Sequence, residues 1–146
     1  MAEDMKDLGK YDPSQIEQKW YSFWEDHGVF HDEPDPEKEP YSIVLPPPNV
    51  TGQLHMGHAL NKSLKDFITR SYAMRGYYTP YIPGWDNHGM PIESAIIKQN
   101  KLNHKAMSVS EFRSACHEFA DHYIDVQREG FKRLGVRGEW DNPYLT

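Results

Sequence analysis

The sequence has few features that could crosslink it or insert it into a membrane. Its 146 residues include one cysteine, Cys116, which excludes an internal disulfide and a cysteine-based zinc cluster. No apolar run approaches the roughly 20 residues that a membrane-spanning helix needs, and the first ten residues lack the apolar core of a signal peptide. We therefore expect a cytoplasmic protein in which Cys116 belongs to the core rather than acting as a nucleophile.

Positive charge is also scarce. The chain has 16 Lys and Arg residues against 22 Asp and Glu residues, which gives a formal net charge of −6. Because binding to a phosphate backbone needs a cationic surface, this balance argues against non-specific nucleic-acid binding. If RNA is a partner, we expect other parts of a larger molecule to make most of that contact.

Capping residues, apolar residues at helical spacing and terminal glycines together predict four helices. The clearest start is Asp12-Pro13-Ser14-Gln15, with Asp12 as the cap and Pro13 in the first helical position. A capping box, Ser108-Val109-Ser110-Glu111, opens the last helix. The predicted helices run from Asp12 to Gly28, from about His55 to Arg75 with Gly76 as its stop, from about Pro91 to Gln99, and from Ser108 to Gly135.

Each predicted helix carries apolar residues on one face, and we expect those faces to point inward. The four sets, in chain order, are Ile16, Trp20, Phe23 and Trp24; Leu60, Leu64, Phe67 and Ile68; Ile92, Ala95 and Ile96; and Phe112, Cys116, Phe119, Tyr123, Phe131 and Leu134.

Two β-rich segments and the tail predict a small parallel sheet. Residues 41–45 read as a short buried strand, residues 78–83 as a second, and a third can begin within residues 136–146. Doubly wound nucleotide-binding folds have about five or more strands. The predicted fold class is therefore α/β, as the N-terminal half of a Rossmann-like (HUP-type) fold whose small parallel sheet is flanked by helices. Residues 1–40 would form an N-terminal helix and an acidic, proline-rich linker, and residues 41–146 the half-fold.

The strongest functional signal is residues 46–58, PPPNVTGQLHMGH. A buried strand, a proline-rich turn and a helix start in this order favour phosphate binding, because the helix N-terminus offers free N–H groups and a positive dipole. His55 and His58 are three residues apart and share one face of the first turn, where each can donate an N–H to a phosphate oxygen. Gly57 has no side chain, so a flat base can lie against its backbone. On its own, a His-x-x-His pair more often lies on the surface without a specific function, or occasionally forms part of a metal site.

These thirteen residues resemble the class I aminoacyl-tRNA synthetase signature, whose short form is His-Ile-Gly-His. A second string, residues 84–93 (GWDNHGMPIE), is similar to the Gly-Trp-Asp-x-His-Gly-Leu-Pro-x-Glu segment of isoleucyl-tRNA synthetases. In isolation, Asp86 within it would equally suit a helix cap. Residues 127–146 also resemble isoleucyl enzymes, whereas residues 11–52 resemble valyl enzymes. This change of similarity along the chain indicates a chimera or an inferred common ancestor of the two.

The resemblance implies that residues 41–146 are the first half of a class I synthetase catalytic domain. It also implies the activation of isoleucine or valine by ATP with Mg²⁺, giving an aminoacyl-adenylate and pyrophosphate. tRNA would be a partner only in the full-length context. The implied residues are His55 and His58 for catalysis; Thr51, Gly52, His55, Gly57 and His58 for ATP; and Pro46, Pro47, Asn49 and Asp86 for the amino acid, with Asp86 on its ammonium group. No metal site is expected in the protein.

Two other functions remain open at this point. The chain could hold ATP or an adenylate without turnover, or it could be another nucleotidyltransferase with a His-x-Gly-His turn. The second family signature, Lys-Met-Ser-Lys-Ser, does not occur, so activation would be weak. Residues 105–108 (KAMS) have a sequence similar to part of this signature, but Ser108 is better explained as a helix cap. With so few strands, we also expect either a marginally stable, partly molten monomer or self-association through an open sheet edge.

Overall fold

The structure is a computed structural model that describes residues 11–101 and 103–146. Its elements in chain order are α1 (Pro13–Asp26), α2 (Met56–Met74), β1 (Gly84–Trp85), α3 (Met90–Gln99), a 3₁₀ turn (His104–Ala106), α4 (Val109–Arg133) and β2 (Tyr144–Leu145). All four predicted helices are present, with bounds close to those expected. Among the described residues, no helix is long and apolar enough to cross a membrane.

The helix ends form where the local signals place them. The Asp12 carboxylate accepts the Ser14 N–H at 3.0 Å. Ser108 and Glu111 make the reciprocal capping box, in which the Ser108 N–H donates to Glu111 Oε2 at 2.8 Å. Gly135, just beyond α4, has a φ of +74°, a left-handed conformation that a glycine adopts without strain. Ser108 therefore has a structural role, as expected.

The sheet is smaller than predicted. β1 pairs with β2 in parallel, with Gly84 opposite Tyr144 and Trp85 opposite Leu145, so the expected strand in the tail is confirmed. Residues 41–45 and 78–83 form no strand in the structure, and the expectation of a buried strand at 41–45 is wrong. They are extended segments joined only by isolated bridges, at Pro40–Tyr78 and Asn49–Asp86, and Val44 is 94% exposed. The prolines at 46–48, 80 and 83 lack the N–H groups that a continuous ladder needs.

The core lies where α3 and α4 meet β1. Trp85, Ile92 and Phe131 are almost completely buried there, and Trp140 packs against both Trp85 and Phe131. α1 is attached to this core by Tyr21, whose hydroxyl donates to the Val136 carbonyl at 2.7 Å and accepts the Trp140 indole N–H at 2.7 Å. The inward face predicted for α3 is confirmed. On α4 the prediction is right for Phe119 and Phe131, which are buried, and for Phe112, Cys116 and Tyr123, which pack against the core, but wrong for Leu134 at its end.

The face predicted for α2 is wrong, and the face predicted for α1 is right only for Trp24. On α1, Tyr21 is the buried residue and Trp24 is half-buried against it, whereas Ile16, Trp20 and Phe23 are exposed. On α2, the predicted apolar residues lie outward: Leu60, Leu64, Phe67 and Ile68 are all exposed. α2 instead buries Lys62, Asp66 and Thr69.

Polar bonds on the inner face of α2 explain this orientation. The Asp66 carboxylate accepts the Arg137 backbone N–H at 3.0 Å and the Arg70 Nε–H at 2.7 Å. Arg70 in turn donates to the Gly135 carbonyl at 2.6 Å. These bonds attach α2 to the segment that follows α4, and they fix which face of the helix is covered.

Candidate functional site

The two sequence motifs meet at the loop of residues 46–52. The Asp86 N–H donates to the Pro48 carbonyl at 2.9 Å, and the Val50 N–H donates to the Asp86 carbonyl at 3.4 Å. This pairing sets Asn49 directly opposite Asp86. Two residues predicted from separate motifs to hold the amino acid are therefore neighbours.

Asp86 is half-buried and not a helix cap. α3 begins at Met90 with Gly89 as its N-cap, and no side chain caps that end. The Asp86 Oδ1 accepts a hydrogen bond from the Thr146 hydroxyl at 3.3 Å, while Oδ2 has no hydrogen-bond partner in the part of the chain that the structure describes. One carboxylate oxygen is thus free to accept a ligand's N–H.

His55 and His58 cap α2 with their own rings. His55 Nδ1 accepts the Gly57 N–H at 3.1 Å, and His58 Nδ1 accepts the His55 N–H at 3.4 Å. The rings stack with their centroids 3.9 Å apart, so the predicted shared face is confirmed. Since each Nδ1 accepts a hydrogen bond, the proton of the neutral imidazole lies on Nε2. Both rings therefore present an Nε2–H at the start of α2, where the caps already occupy the N–H groups of His55 and Gly57.

The surroundings of His58 favour its neutral form. Burial lowers the pKa of His58, and the neighbouring His55 and Lys62 lower it further. A neutral ring retains the Nδ1 lone pair that the cap requires. The same ring remains a hydrogen-bond donor through Nε2, and so it can cap the helix and contact a ligand at once.

The glycines of the motif have different surroundings. A Cβ at Gly57 would lie 2.9 Å from Cε1 of His55, so glycine at this position leaves room for the capping ring. That is a different reason from the predicted contact with a flat base. A Cβ at Gly52 would meet nothing within 4 Å, so the space above Gly52 is open to a ligand.

The two predicted pocket prolines have different surroundings. Pro47 lines a cavity of about 380 Å³ together with Lys62 and Tyr81, whereas Pro46 is exposed and does not line it. Lys62 is only 7% exposed, and its ammonium lies 5.4 Å from the Phe131 ring centroid and 5.9 Å from that of Tyr81. Burial lowers the pKa of Lys62 to about 8.

Two glutamine side chains that were not predicted from the sequence hold the loop. From α4, Gln127 Nε2 donates to the carbonyls of Asn49 at 3.1 Å and Gly52 at 2.8 Å. From α3, Gln99 Nε2 donates to the Thr51 carbonyl at 3.0 Å. A signal for Gln127 was present, because it continues the spacing Tyr123, Gln127, Phe131 and is the polar member of an otherwise apolar face.

The other chemical candidates are not assembled into sites. Across residues 11–101 and 103–146, no group of three or more His, Cys, Asp and Glu side chains is placed to hold a metal ion. His117 pairs with Asp121 at 3.4 Å, and the His122 ring packs on Tyr123. Cys116 is half-buried, and burial raises its pKa, as expected of a thiol that is part of the core.

Known proteins with similar sequences are tRNA synthetases. Residues 19–146 match the family model described as tRNA synthetases class I (I, L, M and V). The chain is 51% identical over 132 residues to an isoleucine–tRNA ligase of Brevibacillus brevis, which covers 89% of this chain and 14% of the relative. It is 54% identical over 125 residues to the isoleucine–tRNA ligase of Bacillus subtilis, covering 84% of this chain and 14% of the relative. The chain thus spans about 14% of the length of these relatives.

A solved structure has the same fold. The agnB2 LeuRS of Agrobacterium radiobacter K84, in a ternary complex with tRNA and LeuAMS, matches with a TM-score of 0.77 and 26% sequence identity. The match covers 94% of this chain and 16% of that one, and it supports the predicted α/β, Rossmann-like class. Because the family model matches nearly all of a chain that brings the two predicted motifs together, the protein belongs to the class I tRNA synthetases.

Proposed function

We propose that this chain binds ATP and activates isoleucine or valine, forming an aminoacyl-adenylate and pyrophosphate. The pairing of Asn49 with Asp86, on the loop that leads into the His55–His58 cap, carries the proposal. It joins an acceptor for an ammonium group to a set of N–H donors for phosphate. The named relatives, which are isoleucine–tRNA ligases, favour isoleucine over valine.

The phosphate side of this site consists of donors. The Nε2–H groups of His55 and His58, together with the positive end of the α2 dipole, would bind the phosphates and stabilise the charge that develops on the α-phosphate. The amino-acid carboxylate attacks that phosphorus, and it is already ionised at neutral pH, so no general base is needed. Thr51, Gly52 and Gly57 would border the nucleotide. Mg²⁺ would be bound mainly by the ATP phosphates, since the donors here are imidazole and backbone N–H groups rather than clustered carboxylates.

The amino-acid side of the site is formed by both of the paired segments, with Asp86 on one and Asn49 on the other. Asp86 Oδ2 would accept the ammonium N–H, and its negative charge would complement the positive one. Pro46, Pro47 and Asn49 would form the walls of the pocket for the side chain. With a net charge of −6, the chain alone should bind tRNA weakly, and tRNA contact is proposed only in the full-length context.

Amino-acid-dependent exchange of labelled pyrophosphate into ATP tests this proposal. We expect exchange that requires isoleucine or valine and that falls by about tenfold or more in Asp86→Asn, which loses the charge facing the ammonium. Asp141→Asn makes the same change at an exposed position and should not alter the exchange.

The outcomes separate the candidate functions. ATP binding without exchange would favour the alternative of a nucleotide-binding module without turnover. Exchange that is independent of amino acid would favour another nucleotidyltransferase. A chain that binds no ATP would contradict all three.

A further inference from the structure

Gln127 is a buried polar residue to which the proposed reaction assigns no role. It is 1% exposed, and its amide makes three hydrogen bonds, two to loop carbonyls and one to the Trp85 side chain. A buried amide that satisfies both of its ends holds its neighbours in one arrangement, because any other leaves a polar group unpaired.

Trp85 determines which way the amide points. The indole Nε1–H can only donate, and it lies 3.0 Å from the Gln127 oxygen. The amide oxygen must therefore face Trp85, which directs the NH₂ group to the carbonyls of Asn49 and Gly52.

Because Gln127 fixes the direction of these carbonyls, it also fixes the direction of the N–H group in each of the same peptides. In a planar trans peptide the C=O and the N–H point in opposite directions. The peptide between Asn49 and Val50 shows this, since its carbonyl faces Gln127 while its N–H donates to Asp86. By the same geometry, the N–H of Gln53 points away from Gln127, and the N–H of Gly52 points away from Gln99.

Those two N–H groups are free. Neither the Gly52 nor the Gln53 N–H has a hydrogen-bond partner among the described residues, and the space above Gly52 is open. They lie immediately before the His55 cap of α2. A turn with successive unpaired N–H groups at a helix start is suited to an anion.

We infer that Gln127 is a positioning residue, which holds the Gly52 carbonyl so that the N–H group of the same peptide, that of Gln53, faces the phosphates of ATP. The Gly52 N–H lies beside it, with its direction set by Gln99. This inference rests on the proposed function. Gln127 does not touch the nucleotide itself. Gln127 contributes by holding the loop backbone, and its hydrogen bond with Trp85 fixes the orientation of its amide.

Two substitutions at this position test the inference against a matched control. Gln127→Met keeps the length of the side chain and removes all three bonds. Gln127→Glu keeps an acceptor for Trp85 but sets a carboxylate oxygen against the two loop carbonyls. The control, Gln18→Met, makes the same glutamine-to-methionine substitution on the exposed surface of α1.

Amide hydrogen exchange of Val50, whose N–H is bonded to Asp86, and the kinetics of pyrophosphate exchange are measured in each variant. For Gln127→Met we expect the Val50 amide hydrogen to exchange about tenfold faster and the KM for ATP to rise by about tenfold, with kcat changing much less. Gln127→Glu should raise the KM at least as much. A purely structural role would instead reduce the active fraction, lowering the apparent kcat with an unchanged KM. Gln18→Met should match the wild type in both measurements.

Three results would overturn the inference. The first is an unchanged rate of amide hydrogen exchange in the loop of both Gln127 variants, and the second is a faster rate with an unchanged KM for ATP, each measured in active protein. The third is a wild-type chain that shows neither ATP binding nor pyrophosphate exchange, which contradicts the proposed function and the positioning role together. The first two defeat the positioning role alone. If Gln127→Met does not fold, as judged by circular dichroism, Gln127→Glu decides between these outcomes.

Discussion

His55 and His58 each use one ring nitrogen for the fold and leave the other for a ligand. The Nδ1 atoms cap α2, and the Nε2–H groups remain available. Replacing either residue by alanine would therefore disturb the helix end as well as the proposed phosphate contact. A substitution that separates the two roles is more informative.

Asparagine at position 55 separates them, because its short side chain caps helices well but has no imidazole N–H. We expect both His55→Asn and His55→Ala to reduce pyrophosphate exchange by about tenfold or more. Only His55→Ala should also lower the free energy of unfolding, by about 1 kcal/mol for the lost cap. Chemical denaturation and exchange assays on both variants check this, and full activity in His55→Asn would contradict the role of the ring.

Lys62 is a buried cation for which the described residues provide aromatic faces but no carboxylate. Burial lowers its pKa from 10.5 to about 8. Between these values the unfolded chain holds a proton that the folded chain has released, so raising the pH through this window favours the folded state. Below pH 8 both states are charged, and the fold carries the full cost of burial.

Lys62→Met should accordingly be more stable than the wild type at pH 7, by up to about 3 kcal/mol. The difference should shrink as the pH rises from 8 to 10.5. Urea unfolding at several pH values measures it, and Lys98→Met, at an exposed position of α3, serves as the control. A stability difference that does not vary with pH would contradict the assignment.

At the scale of elements, α2 is oriented by its polar face. Asp66 is buried and accepts hydrogen bonds from its own helix and from the segment after α4. Removing one partner from such a buried network leaves the others unsatisfied, which costs far more than breaking an exposed ion pair.

Asp66→Ala should therefore lower the free energy of unfolding by about 3 kcal/mol. Asp125→Ala is the matched control, because Asp125 makes an ion pair with Arg128 at 2.7 Å with its own side chain 69% exposed. That pair should contribute less than about 1 kcal/mol. Equal losses in the two variants, measured by denaturant unfolding, would show that the Asp66 network does not orient α2.

At the scale of the whole molecule, the buried core is centred on α4. The residues of α4 that pack on α3, β1 and Trp140 are buried, whereas residues 42–48 lie between the isolated bridges at Pro40 and Asn49. We expect the slowest amide hydrogen exchange in residues 119–131 and rapid exchange in residues 42–45. Slow exchange across 41–45 in dilute protein would show that this segment forms a strand after all.

The outer face of α2 leaves apolar side chains in water. Leu60 is 62% exposed and Phe67 is 65% exposed, and the two-residue strands offer only a short sheet edge. If the chain self-associates, we thus expect this face rather than the sheet edge to drive it. Sedimentation velocity should show reversible association at high concentration. The double substitution Leu64→Lys and Phe67→Lys should abolish it, and association that persists in this variant would point to another surface.

The sequence by itself determined the four helices and the two motifs. Caps such as Asp12 and Ser108 act over two or three residues, so their effect can be read without knowing the rest of the fold. The stacking of His55 on His58 follows in the same way from their spacing on one helical turn. The chemical roles of these residues remain predictions for the experiments above.

Only the tertiary structure decided which helix faces are covered and how the loop is held. Helical spacing identified an apolar face on α2, but the bonds of Asp66 to Arg137, 71 residues away, turned the opposite face inward. Residues 41–45 form no strand, because a strand there depends on hydrogen bonds with neighbouring segments in which prolines lack the N–H donors. Gln127 reaches Gly52 across 75 residues, and no local pattern specifies that contact. Short-range bonds form between residues already close in the chain, whereas burial is decided by competition among distant elements for the same limited core.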